Sequence, residues 1–201
     1  MGTTKQYDRT ELLDRAVELF RLHGFSGTST AMLVDDLGVN RKSMYAEFGS
    51  KQELFEAVLE RYSQKHLSAV LAPIEAPDAD ADAIREAFTR YASASEGWAR
   101  GRGCLMCNTA VERGALDPGS ARHVAAYLNR LTRAFHHALE NAQRSGAIGP
   151  DADLDELAAF FAMALVGVAA CIRAEASPAE VHAACKVATS ILGQRPLGAI
   201  A

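Results

Sequence analysis

Between residues 28 and 55 the chain reads TSTAMLVDDLGVNRKSMYAEFGSKQELF, and Arg41, Lys42, Ser43, Tyr45 and Lys51 are its members with chemistry to offer. Two cations, a hydroxyl and a phenol crowd into fewer than two turns of one short helix. Such a set can donate hydrogen bonds to the base edges and phosphates of a major groove. Arg41 and Lys42 suit the paired acceptors of guanine, and Ser43 can pair with several bases.

Those side chains need a rigid mount, and the neighbouring residues describe one. Gly38 can take the left-handed backbone that ends a helix over 29–37, and Asn40 can cap the next over 41–48. Leu33 and Leu37 turn inward at i, i+4 spacing, with Thr28 read as the helix start. Met44 and Phe48 share the inner face of the second helix. Ser50 and Glu53 have capping-box spacing, so a third helix begins with unbonded N–H groups beside Lys51, a place suited to a phosphate.

From about residue 10 to 62 the chain resembles the N-terminal DNA-binding domain of TetR-family transcriptional regulators. The likeness lies in the Gly38-Val39 turn, the Met44-Tyr45 pair, Phe48, Lys51 and Leu54-Phe55. Residues 102–112, RGCLMCNTAVE, are similar to the start of a ligand-domain helix in one subgroup of that family. The resemblance implies that Tyr45 and Lys51 contact phosphates. Thr28, at a helix start, offers its hydroxyl or adjacent N–H groups to another phosphate. Ala46-Glu47 departs from the family's usual aromatic residue and histidine, so nothing is carried over there; Glu47 has the spacing to pair with Lys51.

Periodicity along the rest of the chain is helical, and no segment reads as a strand. The expected fold is all-α, with about nine helices: a helix-turn-helix domain over 1–52 and a helical ligand-binding and dimerisation domain over 53–201. The first helix, 10–23, gathers Leu12, Leu13, Ala16, Val17 and Phe20 and stops at Gly24. The helix from Lys51 extends to about Val70, and 72–78 reads as a loop. Further helices are expected over 80–94, from Cys104 to Gly114, over 119–145 and 153–175, and after the Ser177-Pro178 cap. Segment 157–172 holds 16 uncharged residues, below the roughly 18 of a membrane span, and reads as an apolar buried helix. Its small residues, Ala158, Ala162, Gly167 and Ala170 among them, suit close helix packing. The resemblance implies a homodimer interface made by helices 119–145 and 153–175, which the small residues suit and which would hold two recognition helices about 34–36 Å apart on a palindromic operator.

Net charge is −4, and residues 1–65 carry nine Lys or Arg against ten Asp or Glu, so the local placement of cations, not the total, must attract DNA. No basic stretch followed by an apolar one opens the chain as an export signal would. Four cysteines at 104, 107, 171 and 185 suit a reducing cytoplasm.

The resemblance implies a regulator, acting as a repressor released from its operator by a small-molecule effector. Phe88, Tyr91, Trp98, Met106, Cys107, Tyr127, Phe161 and Met163 are candidates to line a pocket for an apolar or aromatic ligand. Two other readings compete. Cys104 and Cys107 lie one helical turn apart near Arg100 and Arg102, which suits a redox- or electrophile-responsive regulator; or the chain is a helical small-molecule carrier that never binds DNA. An enzyme is not expected. Asp35 and Asp36 diverge by about 100° on a helix, and the dithiol lacks a βαβ setting. No cofactor is implied. A metal site is not expected either, because one Cys-x-x-Cys lacks its second ligand pair and His123, His136 and His137 have no matching spacing.

Overall fold

The computed structural model describes residues 8–112 and 117–193. Among them every regular element is helical: α1 (Arg9–Gly27), α2 (Thr30–Leu37), α3 (Arg41–Phe48), α4 (Lys51–Tyr62), a π turn (Ser63–Leu67), α5 (Ser68–Glu75), α6 (Ala81–Ala94), α7 (Leu105–Val111), α8 (Pro118–Arg144), α9 (Leu154–Arg173), α10 (Pro178–Thr189) and a closing 3-10 turn (Ser190–Leu192). With 51–75 taken as one rod through its π turn, the described residues form nine helices, as periodicity implies. The chain clusters into two compact units, one of Met1–Ser68 with Arg102–Tyr127 and the other of Ala69–Gly101 with Leu128–Ala201.

The caps obey the local sequence. Asn40 accepts from the Ser43 N–H at 2.8 Å, and both Ser50–Glu53 and Ser177–Glu180 close reciprocal capping boxes. Each satisfies N–H groups that a helix start cannot satisfy itself. Gly38 ends α2 at φ 66°, ψ 26°, the left-handed backbone expected of it.

In the first unit α1 and α4 pack face to face. Leu12, Leu13, Ala16, Val17 and Phe20 are buried, as their spacing requires, and meet Leu54, Phe55, Val58 and Leu59. The Phe20 and Phe55 rings lie 4.8 Å apart. At the rim of this contact Asp14 accepts from Arg61 at 2.8 and 2.9 Å and from Lys65 at 2.8 Å. Buried Arg21 was not foreseen; its guanidinium pairs with Glu18 and donates to the Gly103 carbonyl at 2.9 Å.

In the second unit Phe88, Phe135 and Phe161 form a triangle of rings with centroids 5.7 to 6.2 Å apart. Arg130 forks onto Glu75 at 2.5 and 2.6 Å, and Asn141 donates to the Ala79 carbonyl at 2.7 Å. Two expectations are corrected here. The rod from Lys51 does not end at Val70 but continues through Pro73 to Glu75, because buried Leu71 and Ile74 hold the helix against the one backbone bond that proline removes. The second concerns α9, which is apolar enough by length and composition to cross a membrane but is not covered all round. Ala158, Phe161, Ala162, Leu165, Val168, Ala169 and Ile172 are buried, while Phe160, Met163, Gly167, Ala170 and Cys171 are exposed. The expected end near Gly114 lies outside the described residues.

The Asp14 cluster gives a pH test. Hydrogen bonds from Arg61 first, and then Lys65, hold the Asp14 carboxyl well below the usual carboxylate range, with partial burial opposing them. A carboxyl depressed on folding stabilises the fold above its unfolded pKa of about 4 and loses that effect as pH falls toward the folded value. Asp14→Asn should therefore lower the thermal midpoint at pH 7. Calorimetry over pH 2 to 7 should show the gap to the unmodified protein narrowing below about pH 4.

Candidate nucleic-acid interface

The chain leaves α1 through a break that sequence periodicity locates at Gly24. Its φ of 72° and ψ of 177° lie in a region essentially restricted to glycine, and a helical turn resumes after it to Gly27. The break strips Phe25 and Ser26 of their helical carbonyls. Glu112, the residue after α7, accepts from both N–H groups at 2.7 and 2.6 Å. A carboxylate at a helix C-terminus opposes the helix dipole, so its position was a sign that other groups hold it.

Thr28 then closes the turn. Its side chain is buried, and its hydroxyl donates to the Gly24 carbonyl at 2.6 Å. One expectation changes: Ser29, not Thr28, caps α2, accepting from the Met32 N–H at 3.1 Å, while the proton of the Thr28 hydroxyl is committed to the Gly24 carbonyl. Arg15 reaches the Leu37 carbonyl at 3.5 Å, so α1 also touches the far end of α2.

The remaining sequence-predicted residues lie on α3 and at the start of α4. Met44 and Phe48 are buried beneath α3, Arg41 and Lys42 are exposed, and Ser43 and Tyr45 are half-buried. The Tyr45 hydroxyl lies 2.9 Å from the Thr30 hydroxyl, tying α3 to the first turn of α2, and the Arg41 guanidinium sits 5.6 Å from the Tyr45 ring centre. Lys51 at the start of α4 rests its ammonium 4.2 Å from the Phe25 ring centre. Burial there lowers its pKa, with Glu112 and then Tyr45 opposing. Thr30 is the residue that sequence reasoning missed, since its role depends on a phenol fifteen positions away.

Glu47 is corrected as well. It pairs with Arg9 at 3.4 Å instead of Lys51, and Arg9 also stands 5.2 Å from the Phe48 ring centre. The start of α1 therefore holds the far end of α3 and leaves Lys51 to the Phe25 ring. Tyr45 thus touches Thr30 of α2 and Arg41 of α3 and acts on Lys51 at the start of α4. Among these residues is no nucleophile with an adjacent base, and the described residues hold no cluster of metal-binding side chains.

The pocket candidates fall in both units. Met106, Cys107 and Tyr127 are buried in the first unit, where the Cys107 sulfur lies 3.8 Å from the Tyr127 hydroxyl. Phe88 and Phe161 are committed to the aromatic core of the second unit, and Tyr91 is half-buried there. Trp98 and Met163, expected in an apolar cavity, are 59% and 53% exposed. Periodicity places Met163 on a helix face without saying whether that face is covered. An open groove of about 600 Å³ runs along α1 past Asp8, Glu11, Asp14, Glu18 and Asp36, and it includes none of the pocket candidates.

Comparison with known proteins completes the description. Residues 12–58 match the model of bacterial regulatory proteins, tetR family, and residues 81–188 that of a tetracyclin repressor-like C-terminal domain. An uncharacterized HTH-type transcriptional regulator of Bacillus subtilis, YezE, is 34% identical over 161 residues, covering 80% of this chain and 83% of that protein. The HTH-type transcriptional repressor ComR of Escherichia coli is 31% identical over 180 residues, covering 88% and 84%. Among solved structures, a cysteine-substituted form of CifR complexed with 26-base-pair operator DNA is 25% identical with a TM-score of 0.79, covering 93% of this chain and 98% of that one.

The break before α2 is open to test. A Cβ at position 24 would stand 2.7 Å from a Glu112 carboxylate oxygen, on backbone that only glycine adopts readily. Gly24→Ala should cost about 1–3 kcal/mol of stability by strain. In denaturant titrations it should lose more than Gly38→Ala, whose Cβ meets nothing within 4 Å.

Proposed function

This chain belongs to the tetR family of bacterial regulatory proteins, and from that premise we propose that it represses transcription as a homodimer on a palindromic operator until a small-molecule effector releases it. It is a helix-turn-helix transcriptional regulator, not an enzyme. The observation that carries the reading is the 2.9 Å bond between Thr30 and Tyr45, with Arg41 stacked on that phenol and Lys51 beside it. Together they support one donor face across the starts of α2, α3 and α4.

On this reading α3 enters the major groove. Arg41, Lys42 and Ser43 read base edges, and Tyr45 and Lys51 hold phosphates. Thr30 fixes the aim of Tyr45, and Thr28 acts through the turn it closes. The helix-turn-helix head corresponds to residues 1–52, and 53–201 supplies effector binding and dimerisation. The exposed stripe of Phe160, Met163, Gly167 and Ala170 on α9 supports pairing with a second copy through α8 and α9, because water is a poor neighbour for it. Two heads are needed, since one domain with so few exposed cations gains little from phosphates at physiological salt. The effector, apolar or aromatic by the residues available in the helical domain, favours the state with wrongly spaced heads. It weakens DNA binding by the ratio of its affinities for the two states. The site of action is the cytoplasm, where operator DNA resides.

Sheared genomic DNA mixed with the purified protein should yield a palindromic sequence among the retained fragments. Lys51→Ala should weaken retention by about tenfold and flatten the salt dependence by about one unit of slope per head. Tyr45→Phe should weaken binding while keeping the fold. Retention of no sequence at either low or moderate salt would favour a carrier that never binds DNA. Light scattering on Met163→Arg should report a monomer; a dimer unchanged by that charge would place the interface elsewhere.

A further inference from the structure

Glu112 is none of the residues named for DNA contact, yet its carboxylate reaches the turn before α2, and α7 carries it on a fixed mount. Ahead of that helix the Gly103 carbonyl accepts from Arg21 at 2.9 Å, and halfway along it Asn108 donates to the Arg102 carbonyl at 2.7 Å. The Glu112 N–H still closes the last turn of α7, on the Asn108 carbonyl at 3.1 Å. Its side chain therefore starts from a set position.

The two carboxylate oxygens take one N–H each, Phe25 at 2.7 Å and Ser26 at 2.6 Å. Hydrogen bonds to an ionised acceptor are about twice as strong as neutral ones. Gly24 makes the approach possible, since a Cβ there would stand 2.7 Å from one oxygen and 3.3 Å from the other. The residue so held is also the one on which Lys51 rests. The Lys51 ammonium lies 4.2 Å from the Phe25 ring centre, and that ring is set against Phe55 at 5.0 Å. The backbone bond fixes where the Phe25 side chain begins and Phe55 fixes how it lies, so the ring offers the ammonium one position. Burial lowers the Lys51 pKa, and the Glu112 charge opposes that.

Glu112 can therefore affect operator binding in two opposite ways, and the sign separates them. As a bare negative charge it would repel phosphates, so its removal would tighten binding. As the grip on Phe25 it sets the ammonium, so its removal would weaken binding. Repulsion from a half-buried carboxylate is screened by salt, whereas two short bonds to the backbone are not. The grip prevails.

We propose that Glu112 is a positioning residue for operator binding: by holding the Phe25 and Ser26 N–H groups it sets the ring that presents the Lys51 ammonium to a phosphate. This deepens the regulator reading and rests on it for the role of Lys51. Glu112 itself touches no DNA and reads no base.

The test uses the full chain and two variants that divide charge from reach. Glu112→Gln keeps the length but loses the charge and one acceptor oxygen; Glu112→Asp keeps the charge but is one methylene short of spanning both N–H groups. Each should weaken operator retention about tenfold. Tighter or unchanged binding by either variant overturns the proposal. Added to Lys51→Ala, Glu112→Gln should cost almost nothing further, leaving a loss of about tenfold where independent effects would give about a hundredfold. The hundredfold loss overturns the route through Lys51. A second readout needs no DNA. The Phe25 ring current shifts the Lys51 side-chain proton resonances, and Glu112→Gln should move them toward those of an unstructured lysine in a spectrum otherwise that of the folded protein. Unmoved resonances overturn the proposal whether or not DNA binds. If they move while the unmodified protein retains no operator at either salt, Glu112 still positions Lys51 and the DNA-binding reading fails.

Discussion

The bonds that the Phe25 and Ser26 N–H groups donate to the Glu112 carboxylate fix the turn through which the chain leaves α1 for α2. Gly24 breaks α1 and leaves those donors without helical partners, and at half-buried Phe25 an unpaired N–H would cost about as much as a lost hydrogen bond, while Ser26 is exposed. One carboxylate resolves both. The chain can then turn sharply, Thr28 seals the turn onto the Gly24 carbonyl, and Ser29 is delivered where it can cap α2. Phe25 is set against Phe55 at 5.0 Å, and the Lys51 ammonium rests over its ring. The position of Lys51, the proposed phosphate contact, thus traces back to where α1 ends.

The charge pattern follows the same economy of placement. The chain has a net charge of −4, and three carboxylates of the first unit are engaged in ion pairs away from Arg41 and Lys42. Asp14 meets Arg61 and Lys65, Glu18 meets Arg21 and Arg102, and Glu47 meets Arg9. Arg41 and Lys42 stay exposed on α3. Most of these pairs are at least partly exposed, so they matter less as stability than as a means of keeping negative charge engaged away from the exposed cations.

Much of the fold was legible because its signals act over three or four residues. Gly38, Asn40, Ser50 with Glu53 and Ser177 with Glu180 act on their immediate neighbours, and the structure has each in its expected role. Inward positions on α1 and α3 were legible for the same reason. The candidate site was legible in part. Arg41, Lys42, Ser43, Tyr45 and Lys51 could be named from residue type and resemblance, whereas the cap of α2 was placed at Thr28 when it is Ser29, and the Thr30 partner of Tyr45 was overlooked. The difference turns on one residue of offset at a helix start, which only the backbone after Gly24 decides.

By itself the sequence determined an all-helical chain, the turn between α2 and α3, and the faces that each helix would bury, since helical period and capping are local properties of a polypeptide. Tertiary structure alone decided the partners joined across long separations: Glu112 with Phe25, Arg9 with Glu47, Arg21 with Gly103 and Tyr45 with Thr30. It also decided that Phe161 is core while Met163, two positions on, faces solvent. Period assigns a residue to a face, but whether that face meets another helix depends on the packing of the whole chain.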